Sequence, residues 1–116
     1  MCSVGCGGAS LTANNLFVNM NPGSVYAPQT VTVAGGQTVT WVNRDSVAHS
    51  VTVDTQAGGP DSDSVHPAGM TNGQTYFWTV PNAPSGTKYY YHCRFHGTAG
   101  NGSAFGTGMT GVVIVQ

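Results

Sequence analysis

Val31-Thr32-Val33-Ala34-Gly35-Gly36-Gln37-Thr38-Val39-Thr40-Trp41-Val42-Asn43 is the stretch that decides the fold class. Apolar residues fill alternate positions on both sides of a Gly-Gly turn, so each arm reads as a half-buried strand and the pair as a hairpin. Upstream, Leu16, Val18 and Met20 repeat the alternation, and downstream Val51 and Val53 repeat it again. Residues 75–80, 88–92 and 111–115 add further β-rich runs, separated by turn chemistry such as Asn21-Pro22-Gly23, Gly58-Gly59-Pro60 and Asn72-Gly73. No window carries helical periodicity, although residues 62–70 leave room for a short turn. This pattern predicts an all-β protein: an antiparallel Greek-key β-sandwich of seven to eight strands over residues 14–116. Residues 1–13 are Gly-rich and aperiodic and read as a flexible N-terminal tether.

With 116 residues there is room for one core. Only 6% of residues are charged, three Lys and Arg against four Asp, too few cations for a nucleic-acid or anionic-membrane surface. The longest unbroken apolar run, Val112-Val113-Ile114-Val115, is far short of the roughly 20 residues of a membrane span. Trp41, Tyr76, Phe77, Trp78 and Tyr89-Tyr90-Tyr91 supply enough apolar area for a folded interior. The Thr, Ser, Asn and Gly bias suits an exported protein, periplasmic or at the cell surface.

Three cysteines cannot all pair within the chain. Cys2 and Cys6 leave three alternatives open: a small disulfide, a lipid anchor on Cys2, or unpaired thiols. An immunoglobulin-type sandwich needs a strand cysteine facing Cys93, and neither Cys2 nor Cys6 lies in a strand.

Tyr91-His92-Cys93-Arg94-Phe95-His96 carries the sharpest chemistry. Cys93 and His96 leave the end of a strand three residues apart, and a thiolate with an imidazole selects copper or zinc over oxygen-loving cations. Alone, the pair is equally a buried free cysteine beside a surface histidine. His49 strengthens the metal reading, because it opens an apolar strand after the polar loop Asn43-Arg44-Asp45-Ser46 and enters the same end of the sandwich. With Met109 beside the last strand the set becomes two His, one Cys and one weak Met, the donors of a blue-copper electron-transfer site.

Residues 31–43, Ala48-His49-Ser50-Val51, residues 89–96 and residues 109–115 occur in the order found in cupredoxins, and the chain resembles the plastocyanin and halocyanin type. The resemblance implies that His49, Cys93, His96 and Met109 bind one copper ion, Cu(I) or Cu(II), within an eight-stranded sandwich. It implies a one-electron carrier rather than an enzyme, a monomer that docks transiently with redox partner proteins. Cys93 would carry the electronic coupling and His96 the exit edge, with Phe95, Phe105 and the glycine-rich loop as an apolar docking patch. Two departures stand out. The second histidine and the methionine are usually a few residues apart, whereas residues 97–108 are inserted here, and Ser50 stands where many relatives carry Asn. The shorter hydroxyl is expected to alter hydrogen bonding around the sulfur.

The remaining candidates read more plainly. His92 should point away from the thiolate, Met20 belongs to the core, and His66 with Met70 reads as a solvated loop rather than a second soft site. Asp54, Asp61 and Asp63 form a mild acidic rim. Three competing functions are an open-site copper protein that binds or converts small molecules, a copper chaperone or storage protein, and a metal-free adhesion domain. The first requires Met109 to stand away from the metal, the second more Met and Cys than the chain has, and the third leaves the ordered donor set without a role.

Overall fold

The period-two alternation becomes eight strands in the computed structural model, which describes residues 15–116. They are β1 (Asn15–Asn21), β2 (Val25–Ala27), β3 (Thr30–Val33), β4 (Thr38–Asn43), β5 (Thr52–Val53), β6 (Thr75–Thr79), β7 (Lys88–Thr98) and β8 (Thr107–Val115). The predicted tether, with Cys2 and Cys6, lies outside the described residues. The only helical element among the described residues is a 3-10 turn, Ser62–Ser64, where the Asp61 side chain accepts from Asp63 N and Val51 O accepts from Ser62 N.

Two four-stranded sheets form, in the orders β2-β1-β4-β6 and β3-β8-β7-β5. Most pairs are antiparallel, as expected, but β1 runs parallel to β4 and β3 parallel to β8, so both sheets are mixed. The expected hairpin across Gly35-Gly36 does not form, because β3 and β4 belong to different sheets. The turn is an arch. Gln37 N donates to Ala34 O (3.2 Å), while Gly36 N donates to Val80 O (2.7 Å) and Val80 N to Gln37 O (2.8 Å), tying the crossing to the end of β6. Gly36 adopts a left-handed φ of 86° to make the bend. Alternation alone cannot separate the two topologies: Val31 and Val33 face the interior from one layer, Val39 and Trp41 from the other, with the same period in each.

Aromatic side chains join the layers. Trp41 meets Tyr91 edge-on at 5.3 Å, Tyr26 meets Tyr91 at 4.7 Å, and Trp78 meets Tyr89 at 5.1 Å. Trp41 and Tyr91 are fully buried, so truncating Trp41 to Ala would cost about 3–5 kcal/mol. Met20, Met70, Cys93 and Met109 belong to the same buried cluster. Met70, expected on a solvated loop, is fully buried because its backbone pairs with that of His49.

The β7–β8 pairing positions the site. His92 is opposite Thr110, and pairing resumes with Gly97 opposite Gly108 and Thr98 opposite Thr107. Four residues, 93–96, therefore bulge against the single residue Met109. The inserted residues are not a floppy connection: they prolong both strands into a hairpin beyond the bulge.

Candidate metal centre

His49 is placed by the loop that leaves β4. Asn43, fully buried at the end of that strand, donates from Nδ2 to Val47 O (3.0 Å) and Met70 O (2.7 Å) and accepts from Asp45 N (2.7 Å) at Oδ1. The loop is thereby folded back on itself. His49 then pairs its backbone with Met70, N to O at 3.1 Å and O to N at 2.8 Å. Its Nε2 lies 2.9 Å from Asp45 Oδ2, and that hydrogen bond is the main cause holding the Asp45 carboxyl below its ordinary pKa. An ionised carboxylate can only accept, so Nε2 carries the proton and the Nδ1 lone pair is left for another partner.

That partner position is shared with Cys93 and His96. Cys93 Sγ lies 3.6 Å from His49 Nδ1 and 3.5 Å from His96 Nδ1, and the donor atoms of all three residues lie within 4.8 Å of one another. His49 and Cys93 are buried, whereas His96 is exposed. The imidazole rings stand 4.8 Å apart at 61°. An ion about 2.0–2.3 Å from two nitrogens and a sulfur needs those donors roughly 3.5–4 Å apart, so the group fits a small ion in a near-trigonal arrangement.

The sulfur has further company. Ser50 N donates to Sγ at 3.4 Å, and Ser50 Oγ accepts from Arg94 N at 2.9 Å. The shorter hydroxyl thus still ties the His49 strand to the Cys93 bulge. Tyr26 adds its hydroxyl, donating to Ser50 O from the opposite sheet. Met109 is 2% exposed and lies across the ladder from the bulge. Its backbone is so close to Gly97 that a Cβ there would stand 2.6 Å from Met109 O, which explains a glycine at that position. The wide sequence gap between His96 and Met109 is therefore closed in space by the hairpin.

Other candidates sort themselves outside this group. His92 points to the outer face, as expected, where Nδ1 lies 2.7 Å from Asp54 Oδ1. Asp54 is no rim residue: its side chain is 1% exposed. Asp63 pairs with Arg94 Nε at 3.0 Å, which leaves little acidic rim. His66 Nε2 lies 2.9 Å from Thr75 O and takes no part in the site. Asn43 and Asp45 are the residues that reasoning from the sequence missed. The one signal for them was their place just before His49, with Asp45 four residues upstream.

Residues 15–116 match the family of copper binding proteins that comprises plastocyanin and azurin. The chain is 31% identical over 110 residues to the chloroplastic plastocyanin of Tetradesmus obliquus, covering 92% of this chain and 70% of that protein. It is 29% identical over 93 residues to the chloroplastic plastocyanin of Chlamydomonas reinhardtii, covering 78% of this chain and 58% of the relative's length. An amicyanin mutant solved in its oxidised state superimposes with a TM-score of 0.62 at 26% identity, over 91% of this chain and 87% of its own. Sandwich, donor cluster and relatives converge: the chain belongs to the plastocyanin/azurin family of copper-binding proteins and is a cupredoxin.

Proposed function

We propose that His49 and His96 bind the copper ion through Nδ1 and Cys93 through Sγ, with the Met109 thioether as the weak axial donor, and that the protein carries single electrons between larger redox proteins. The observation that supports this most is the pair of sulfur-to-nitrogen separations, 3.6 and 3.5 Å, between donors of the right softness. Bound there, copper supplies a one-electron Cu(I)/Cu(II) couple. The chain does the rest. Cys93 gives up its thiol proton on binding. Asp45 keeps the proton on His49 Nε2, so His49 can bind without changing tautomer.

His96 is the exposed edge through which an electron leaves. Beside it Phe95 is 42% exposed and packs with Ala48 close against Gly69, and the neighbouring Val47 is 45% exposed. Phe105, expected in the same patch, is 41% exposed and also packs edge-on against Tyr90 at 5.3 Å. The Arg94 guanidinium lies 4.2 Å over the Phe95 ring and is paired with Asp63, so the face around His96 combines exposed apolar side chains with little net charge. It suits brief encounters with an apolar partner surface, at rates only weakly dependent on salt. We place this work outside the cytoplasm, in the periplasm or at the cell surface, with the protein monomeric and Cys2 as a candidate lipid anchor. The composition supports export, and the plastocyanin relatives, named as chloroplastic, likewise work outside the cytosol.

The test is optical and electron-paramagnetic-resonance spectroscopy of the Cu(II)-loaded protein. An intense visible sulfur-to-copper band is expected in the wild type and its disappearance in Cys93→Ser, with the β-sheet circular dichroism unchanged. An intense band that persists in Cys93→Ser would remove Cys93 from the ligand set.

A further inference from the structure

The inserted hairpin does more than bridge His96 to Met109. Asp54, just past β5, sends its two carboxylate oxygens in different directions. Oδ1 lies 2.7 Å from His92 Nδ1, on the residue before Cys93, and Oδ2 accepts from Gly100 N at 2.8 Å, in the tip of the hairpin. The carboxylate is buried, and a buried carboxylate is retained only where its oxygens are met. A second fastening lies alongside, where Phe105 closes edge-on over Tyr90 and leaves that tyrosine 8% exposed on what would otherwise be an open sheet face. At the base of the hairpin, Thr98 and Thr107 join their hydroxyls across the ladder.

From these contacts we infer that residues 97–108 form a brace for the ligand-bearing bulge, and that Asp54 is its positioning residue. Residues 93–96 are bounded by β-ladder on both sides, by His92 and Thr110 before them and by Gly97 and Gly108 after them. The far end is thus also pinned, and Asp54 joins it to the strand next to Cys93, so His96 and Met109 keep their separation as the electron comes and goes. Less rearrangement accompanies transfer, which is the property a carrier needs. This inference rests on the proposed ligand set.

The experiment compares wild type, Asp54→Ala, Asp54→Asn and Phe105→Ala, each read three ways. Asn can still accept from Gly100 N and face His92, so it is the rescue variant. Backbone hydrogen exchange, measured with and without copper, should be at least tenfold faster at Gly97, Gly100 and Thr107 in Asp54→Ala, and close to wild type in Asp54→Asn. The Cu(II) hyperfine lines should broaden in Asp54→Ala, and electron self-exchange followed by NMR line broadening should slow severalfold, with both recovering in Asp54→Asn. Should Asp54→Ala fail to fold, Phe105→Ala, which removes only the outer fastening, should show the same changes at smaller size. Faster exchange confined to the hairpin, with hyperfine lines and self-exchange unaltered, would overturn the brace, and unchanged exchange at Gly100 would overturn the role of Asp54. The ligand assignment is tested separately by loss of the visible band in Cys93→Ser, so a brace that fails while that loss is observed is distinguishable from failure of the ligand set.

Discussion

His49 and His96 present the same nitrogen to the same sulfur, at 3.6 and 3.5 Å, yet they are held in opposite ways. His49 is fully buried, pinned by a two-way backbone bridge to Met70 and by the Asp45 carboxylate on its far nitrogen. His96 is exposed, no carboxylate among the described residues pairs with its far nitrogen, and it owes its position to the bulge and the hairpin behind it. The contrast teaches that one histidine fixes the site to the fold while the other opens it to the surface. Rigidity and access are thus divided between two copies of one side chain.

The largest test of that contrast cuts each histidine back. In His96→Gly, added imidazole should restore the visible band within mixing time. In His49→Gly the same recovery requires local opening of the sandwich, so it should be slower by roughly an order of magnitude or more. Equal rates would mean that burial does not distinguish the two. Next in size is the axial donor. Met109→Leu should keep the band and raise the reduction potential by roughly 100 mV, equivalent to about 2 kcal/mol lost from Cu(II), as voltammetry would record. An unchanged potential would leave the axial position to another group, with Met70 the next to vary. Asp45→Asn should have the smallest effect. Loss of the negative charge from His49 weakens its donation to Cu(II), raising the potential by about 40 mV if the hydrogen bond favours that state by about 1 kcal/mol. A fall in potential would show that Asp45 orients His49 without enriching it.

Most strand positions, most inward-facing residues and the four candidate donors were legible in the sequence, whereas β2 (Val25–Ala27) and the prolongation of β7 and β8 beyond the bulge were not. Alternation depends on the two-residue pleat, and donor chemistry depends on residue type, both of which are local. Val18, Val39, Trp41 and Tyr91 all face inward as their alternation requires. The outward placement of His92, one position from Cys93, follows from the same pleat.

What the tertiary structure alone decided is which segments meet. Gly35-Gly36 joins two layers rather than two neighbours, because an arch and a hairpin bury the same alternate residues and differ only in partners far along the chain. Met70 leaves its loop for the core because it pairs with His49, and Asp54 leaves the surface because His92 and a glycine of the inserted hairpin claim its oxygens. The wide spacing from His96 to Met109 closes because β7 and β8 resume their register beyond the bulge. Each of these depends on backbone groups finding partners across long sequence separations, a cooperative choice that no local pattern encodes.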